Sequence, residues 1–355
     1  MHDSTKTIKP LKVALLGYGM AGKTFHAPLL MRVPGLQLSH IVSSDSAKVK
    51  RVWDVTVLPK PQDAFALPGI DLIVIATPNA THFDLASAAL SGGKNVVIDK
   101  PFTNTVAEGA ELIALAKKKQ RLLSAFQSRR WDADFLTLRK LFASGELGKI
   151  THFESHYDRY RPEPRVRWRE QDVPGGGLWF DLGPHLVDQA LQLFGMPESL
   201  YADLAIQRPQ ARVVDYFHVI LRYGASRVIL HGSSLVAGES PRFTVNGTLG
   251  SFVKFGMDTQ EESLKRGDAP GIAGWGRDPQ MGTLVVKHGE NFEKREVPNE
   301  SGNYLGFYEG IRDAITAGAP NPVTPEDALA VINVLETAVR SSDSKSEVPF
   351  IPHPI

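Results

Sequence analysis

From Lys12 to about Ala125, short uninterrupted apolar runs alternate with segments of helical spacing. The runs are Val13–Leu16, Leu38–Val42, Leu72–Ile75, Val96–Ile98 and Leu122–Ala125, and strands apolar on both faces belong in a parallel sheet covered on both sides. Between them Ala47–Trp53, Phe83–Ser91 and Ala107–Lys119 read as helices. The last carries Ala110, Ile113, Ala114 and Ala116 at helical spacing and ends in a basic turn, Lys117–Lys119, which suits the negative end of a helix dipole. Strand and helix in repetition predict a doubly wound α/β domain.

The pattern changes after a predicted helix at Asp132–Ala143 and a terminator at Ser144–Gly148. Strands now follow strands: Ile150–Tyr157, Leu200–Ile206, Tyr216–Leu221, Arg227–His231, Arg242–Asn246 and Leu284–Lys287. Their alternation and intervening turn residues predict a mostly antiparallel sheet. Helices are expected at Leu186–Phe194, Tyr304–Thr316 and Pro325–Arg340, the last returning the chain to the first domain. The fold class is therefore an α/β Rossmann domain, residues 1–126, plus an α+β domain with a large, mostly antiparallel open sheet, residues 127–355.

Composition narrows the function. The 355 residues are 42% hydrophobic with a net charge of +1, which favours a globular protein over a disordered one and gives no global field for nucleic acid or an anionic membrane. There is no cysteine, so thiolate nucleophiles, disulfides and cysteine-ligated metals are excluded. Met1–Pro10 is polar, the apolar run after it is too short for a secretory signal, and no stretch approaches the about 20 apolar residues of a membrane span. A cytoplasmic protein is expected.

Gly17-Tyr18-Gly19-Met20-Ala21-Gly22 follows the first strand and opens a helix, the context in which G-x-G-x-x-G means dinucleotide binding. The first glycine permits the turn, the second lets a pyrophosphate approach the backbone and the third allows close helix packing; helix amides then hold the phosphate. An NAD-selective site presents an acidic residue at the end of the second strand. Here the strand ends in Ser43-Ser44, followed by Asp45, Lys48, Lys50 and Arg51. Hydroxyls with nearby ammonium groups suit a 2′-phosphate, so NADP is the expected cofactor; NAD stays open because Asp45 could reach a ribose hydroxyl.

Two segments lie past later strands of the same domain, where such sheets bind ligands: Thr77-Pro78-Asn79-Ala80-Thr81-His82 and Asp99-Lys100-Pro101. Lys100 can point an ammonium at a substrate oxygen. Further on, Asp181 and His185 are four residues apart, near a helix start marked by Pro184, which puts carboxylate and imidazole on one side of a turn. With no third ligand at characteristic spacing, no metal is expected.

In combination these residues resemble the glucose-fructose oxidoreductase and inositol dehydrogenase family over essentially the whole chain. Asp99-Lys100-Pro101 stands where most members have Glu-Lys-Pro. More narrowly, the Gly17–Pro28 stretch, Arg129-Arg130-Trp131-Asp132 and Arg161-Pro162 with Arg167-Trp168-Arg169-Glu170 look like a bacterial subgroup that includes NADP-dependent scyllo-inositol dehydrogenases. The resemblance implies that Lys100, Asp181 and His185 form the catalytic group, and that the Gly17–Gly22 loop, Ser43, Ser44, Lys48, Thr77, Pro78, Asn79, His82, Asp99 and Lys100 hold the dinucleotide. His185 would be the general acid/base and Lys100 would polarise the reacting oxygen, with the two able to exchange roles.

The expected reaction interconverts an alcohol and a carbonyl on a small polyhydroxylated, sugar-like or inositol-like substrate. The stretch His156–Glu170 carries five arginines and three aromatics, suited to oxygen-rich rings or carboxylates, and Arg129, Tyr157, Arg159 and Trp168 are the substrate candidates. Two other readings remain: an NADPH-dependent reductase of another small carbonyl compound, and a dinucleotide-binding regulator without turnover. A broad open sheet also predicts a homodimer or homotetramer.

Overall fold

The structure is a computed structural model and describes residues 9–354; residues 1–8 of the polar N-terminal stretch lie outside the described residues. Six parallel strands form the first sheet: β1 Leu11–Leu16, β2 Leu36–Val42, β3 Thr56–Leu58, β4 Leu72–Ile75, β5 Asn95–Ile98 and β6 Leu123–Ala125. Their order is β3-β2-β1-β4-β5-β6, that of a dinucleotide-binding Rossmann domain. Val13–Leu16, Leu72–Ile75 and Val96–Ile98 are wholly buried, as unbroken apolar runs require.

The crossovers are α1 (Ala27–Arg32, entered through a π-turn at Gly22–His26), α2 (Ser46–Lys50), α3 (Pro61–Ala66), α4 (His82–Ser91) and α5 (Val106–Lys119). Helix α5 starts at a capping box in which Thr105 and Glu108 satisfy each other's backbone amides. Strand β3 and helix α3 were not legible, being three and six residues long.

A helix α6 (Ala133–Ser144), ended by Gly145 at φ +74°, leads to the second sheet. Its strands are β7 (Ile150–Asp158), β8 (Ser199–Ala205), β9 (Tyr216–Tyr223), β10 (Ser226–Ser233), β11 (Phe243–Gly247), β12 (Gly250–Lys254), β13 (Gly282–His288), β14 (Asn291–Val297) and β15 (Val348–Pro349). The order is β14-β13-β12-β11-β7-β10-β9-β8-β15, with β7 and β10 parallel and every other pair antiparallel.

One expectation is corrected. The helix predicted from Leu186 begins nine residues earlier, as α7 Gly177–Phe194, and Pro184 lies inside it. A proline there removes an amide donor from the helix, yet the first turn is anchored from outside by Leu178 N–H donating to Val214 O at 2.6 Å. Helices α8 (Gln260–Arg266), α9 (Leu305–Ala317) and α10 (Pro325–Ser344) complete the chain. Helix α10 and the turn before it run between the two sheets: Glu336 accepts from Val106 N–H at 2.9 Å, Ser124 Oγ donates to Val323 O in that turn at 2.8 Å, and Trp179 Nε1 donates to Leu335 O at 3.2 Å.

Candidate active site

The glycine loop sits at the carboxyl ends of β1 and β4, where the sheet order reverses. Gly17 takes φ +94°, and a Cβ on it would meet Ala76 O at 2.6 Å; on Gly22 a Cβ would meet Gly17 O at 2.1 Å. Both glycines are required by close packing. Around Gly19 a Cβ would meet nothing within 4 Å, so the backbone there faces open space into which a pyrophosphate fits. The residues present thus fit a dinucleotide.

At the end of β2, Asp45 does not extend into that crevice. Its carboxylate caps α2 by accepting from Lys48 N–H at 2.9 Å, while Ser43 Oγ accepts from Asp45 N–H at 3.1 Å. Lys48 Nζ turns back to donate to Tyr18 O at 3.3 Å. Tyr18 contributes its backbone, since its ring is buried, whereas Met20 is exposed at the loop's tip.

Past β4, Thr77 and Thr81 share a hydroxyl hydrogen bond of 2.7 Å and Asn79 is buried beneath exposed Pro78. His82 faces inward. Its Nδ1 lies 2.9 Å from Pro101 O and its Nε2 2.9 Å from Thr77 O, so the ring ties the loop after β4 to the loop after β5. Asp99 accepts from Lys100 N–H at 2.8 Å and lies 3.7 Å from His26 Nε2. Burial opposes its ionisation, but His26, Lys100 and His82 outweigh burial and hold its pKa below the usual carboxylate range.

Lys100, Asp181 and His185 converge. Lys100 Nζ donates to Asp181 O at 2.5 Å and to Asp181 Oδ1 at 3.3 Å, and Arg169 Nε lies 3.2 Å from the same carboxylate. Burial raises the Asp181 pKa, yet Lys100, Arg169 and Arg159 together hold it at about 2. Burial pushes Lys100 down, with Asp181 opposing. His185, one turn beyond Asp181, is 8% exposed; burial and then Lys100, Arg129 and Arg242 push its pKa well below 6.5, leaving a neutral imidazole. Among the described residues its Nδ1 has no hydrogen-bond partner.

A cavity of about 340 Å³ joins these parts, lined by Met20 and Ala21 of the glycine loop, by Asp99 and Lys100, and by Asp181 and His185. Of the four substrate candidates it includes Arg129 and Arg159. Tyr157 is instead buried between the guanidinium groups of Arg129 and Arg242, 5.3 and 4.3 Å from its ring centre, and Trp168 lies outside the lining, beneath Arg169. Arg161, Arg165, Arg167 and Arg169 line the cavity too; the arginine run marked the segment without saying which members turn inward. Glu261, Lys265 and Tyr304 also line it and had no signal, coming from segments over a hundred residues beyond Lys100.

On the opposite side of β7, ligand atoms of His156, Asp158 and His231 lie within 4.8 Å of one another. His156 already bonds Glu154 at 3.0 Å and Asp158 at 3.2 Å. Those carboxylates outweigh burial and raise its pKa, which suits an ion-pair network. Among the described residues no helix is long and apolar enough to cross a membrane.

A Rossmann crevice sharing one cavity with a half-buried lysine and carboxylate and a buried imidazole defines a nicotinamide-dinucleotide oxidoreductase. The chain belongs to the Gfo/Idh/MocA family: residues 11–127 match its "Oxidoreductase family, NAD-binding Rossmann fold" and residues 139–350 its "Oxidoreductase family, C-terminal alpha/beta domain". It is 51% identical over 337 residues to the uncharacterized oxidoreductase YdgJ of Escherichia coli, covering 95% of this chain and 97% of that one. It is 40% identical over 346 residues to the scyllo-inositol 2-dehydrogenase (NADP(+)) IolW of Bacillus subtilis, covering 97% of each. The solved structure of the Yersinia pestis protein YPO2259 superposes with a TM-score of 0.94 at 50% identity, covering 98% of this chain and 99% of that one.

Proposed function

We propose that the protein interconverts an alcohol and a carbonyl on a sugar-like or inositol-like substrate, with NADP as its preferred dinucleotide. The observation that carries this is the shared cavity, in which the tip of the glycine loop, Lys100 and His185 face one another. The dinucleotide, held by the Gly17–Gly22 loop, the backbone after β4 and the Ser43–Lys48 turn, supplies the hydride acceptor or donor.

The chain's own residues handle the proton and the charge. Neutral His185 accepts the hydroxyl proton of an alcohol, or returns it to a carbonyl oxygen. The Lys100 ammonium hydrogen-bonds that same oxygen and stabilises negative charge developing on it. Asp181 fixes the ammonium through two contacts and stays ionised. The lowered pKa of Lys100 favours a second arrangement in which the lysine moves the proton and His185 positions the oxygen; the pH profile of each variant distinguishes them.

Preference for NADP is supported by Asp45, whose carboxylate is occupied in capping α2 and so is turned from a ribose hydroxyl. IolW, whose name carries NADP(+), supports the same reading. The test is a titration with NADP and with NAD, followed by a 340 nm screen against inositols, aldoses, sugar lactones and small ketones. Turnover with NADP on a polyol, lost in Lys100→Ala and His185→Ala while the dinucleotide still binds, is the expected result. Tight binding without turnover on any of them would favour a regulator. A homo-oligomer formed through the open face of the second sheet completes the reading, and a monomer by light scattering at micromolar concentration would refute it.

A further inference from the structure

The wall of the cavity is charged out of proportion to anything that neutralises it. Eight cationic side chains line it, six arginines and two lysines, against Asp99, Asp181 and Glu261. Three of the eight are already matched or shared. Arg129 is clamped by Asp132 and Glu261, Lys265 pairs with Glu261 and Glu262, and Lys100 is committed to Asp181.

The other five come from one segment, at positions 159, 161, 165, 167 and 169. Arg169 leans on Asp181, the same carboxylate that Lys100 uses. Arg159 Nη2 is 3.9 Å from it, too far for a hydrogen bond. Arg167 reaches Glu170 with one nitrogen at 3.1 Å, and Glu170 is shared with Arg208. Among the described residues Arg161 and Arg165 have no acidic partner, and two buried guanidinium nitrogens, Arg159 Nη2 and Arg167 Nε, have no hydrogen-bond acceptor.

Such crowding is costly. Burial, with Arg161 and Arg167 opposing Asp181, pushes Arg159 down to about 10, and burial with Arg165 and Arg167 lowers Arg161. Arg165 is exposed and Arg161 half-buried, so water carries part of their charge, but Arg159 Nη2 and Arg167 Nε are buried without an acceptor, and buried cationic groups are ordinarily paired. Five guanidinium groups around a ligand-sized cavity with so few acids mark a site whose partner arrives with the ligand. A smaller cavity behind Arg159, Arg161 and Arg167, about 10 Å³, admits no more than one water. The anionic group must therefore be received in the large cavity.

We propose that the substrate carries a carboxylate or phosphate, received by Arg161, Arg165 and Arg167 while the reacting carbon lies between Lys100 and His185. Guanidinium forks match both groups in bidentate geometry. This rests on the oxidoreductase reading for the position of the reacting carbon, but the anion site itself does not.

The test is calorimetric, on the full chain saturated with NADP, using glucose, glucuronate and glucose 6-phosphate as a neutral, a carboxylate and a phosphate probe, with inorganic sulfate alone as a fourth. The expected result is that at least one charged sugar binds roughly tenfold or more tightly than glucose, that sulfate competes with it, and that Arg161→Gln with Arg165→Gln abolishes the difference while the NADP dissociation constant holds. Neither arginine breaks an ion pair when replaced, so the fold is kept. Charged and neutral sugars binding alike would overturn the proposal. So would a double variant that weakens NADP and leaves the sugars alone, because the arginines would then serve the dinucleotide's phosphates. Binding of a charged sugar without turnover would leave the anion site standing and count against the redox reading only.

Discussion

Lys100 and Asp181 are joined twice, through the aspartate's main-chain carbonyl at 2.5 Å and its carboxylate at 3.3 Å. The ammonium is therefore positioned by the first turns of α7 and not only by charge. On the proposed reaction, removing it in Lys100→Ala deletes the group that stabilises the developing oxyanion, a change worth roughly 10² to 10³ in kcat/KM. Steady-state turnover checks this, with dinucleotide affinity measured in parallel and expected to change little.

Asp181→Asn probes the other partner. The carboxylate raises the Lys100 pKa against burial and the neighbouring Arg169, so its loss lets the ammonium give up its proton at lower pH. The basic limb of the kcat/KM profile should move to lower pH in Asp181→Asn. An unmoved limb would mean that Lys100 does not control it.

His185 gives a prediction of the opposite sign. Its folded pKa is depressed well below 6.5 by burial and surrounding cations, so between 6.5 and that value the unfolded chain binds a proton that the folded one does not. Stability present above pH 6.5 is lost as pH falls. His40, His82, His218 and His231 are lowered too, so the wild type declines in any case; the His185→Gln variant isolates one proton. Its stability between pH 6.5 and 5 should fall less steeply, by up to about 1.4 kcal/mol per pH unit, as read from denaturant midpoints.

What the sequence disclosed follows burial. Val13–Leu16, Leu72–Ile75 and Val96–Ile98 are wholly buried, and their apolar runs mark them as strands. Strand β14 is an exposed polar edge, with Phe292 70% exposed, and offers no periodicity. In β12 the inward position of Lys254, 2.9 Å from Asp278, puts a charge where the alternation calls for an apolar residue. Pro184, read as marking a helix start, hid the first half of α7, which the hydrogen bond from Leu178 N–H to Val214 O anchors. Lys100, Asp181 and His185 were legible as motifs, whereas Glu261, Lys265 and Tyr304 meet them only through the tertiary fold.

The proposed preference for NADP turns on the short helix α2. Asp45 holds its N-terminus, and Lys48, in that first turn, reaches Tyr18 O beside the entrance to the crevice. A 2′-phosphate placed there would draw Lys48 from a neutral carbonyl to a charged acceptor, a gain that NAD cannot provide. Lys48→Ala should weaken NADP roughly tenfold and leave NAD within about twofold, as measured by fluorescence titration. Equal weakening of both would assign Lys48 to the loop's structure.

The join between the two sheets depends on Arg130. Its Nε and Nη2 make a forked contact with Asp188 of α7, at 2.9 and 2.6 Å, while Nη1 donates to Asp327 of α10 at 3.1 Å and to Pro322 O at 3.3 Å. Arg130 and Asp188 are nearly inaccessible, so truncating one leaves the other's charge buried without its counterion. Breaking such a pair costs about 3–5 kcal/mol. Asp188→Ala should therefore lower the unfolding free energy by that amount. Asp327→Ala, whose carboxylate is 37% exposed, should cost far less. If the two variants proved equally mild, the buried pair would not be what holds α7 and α10 in register, and the placement of Asp181 and His185 at the cavity would have to come from the packing of Trp179 against α10 instead.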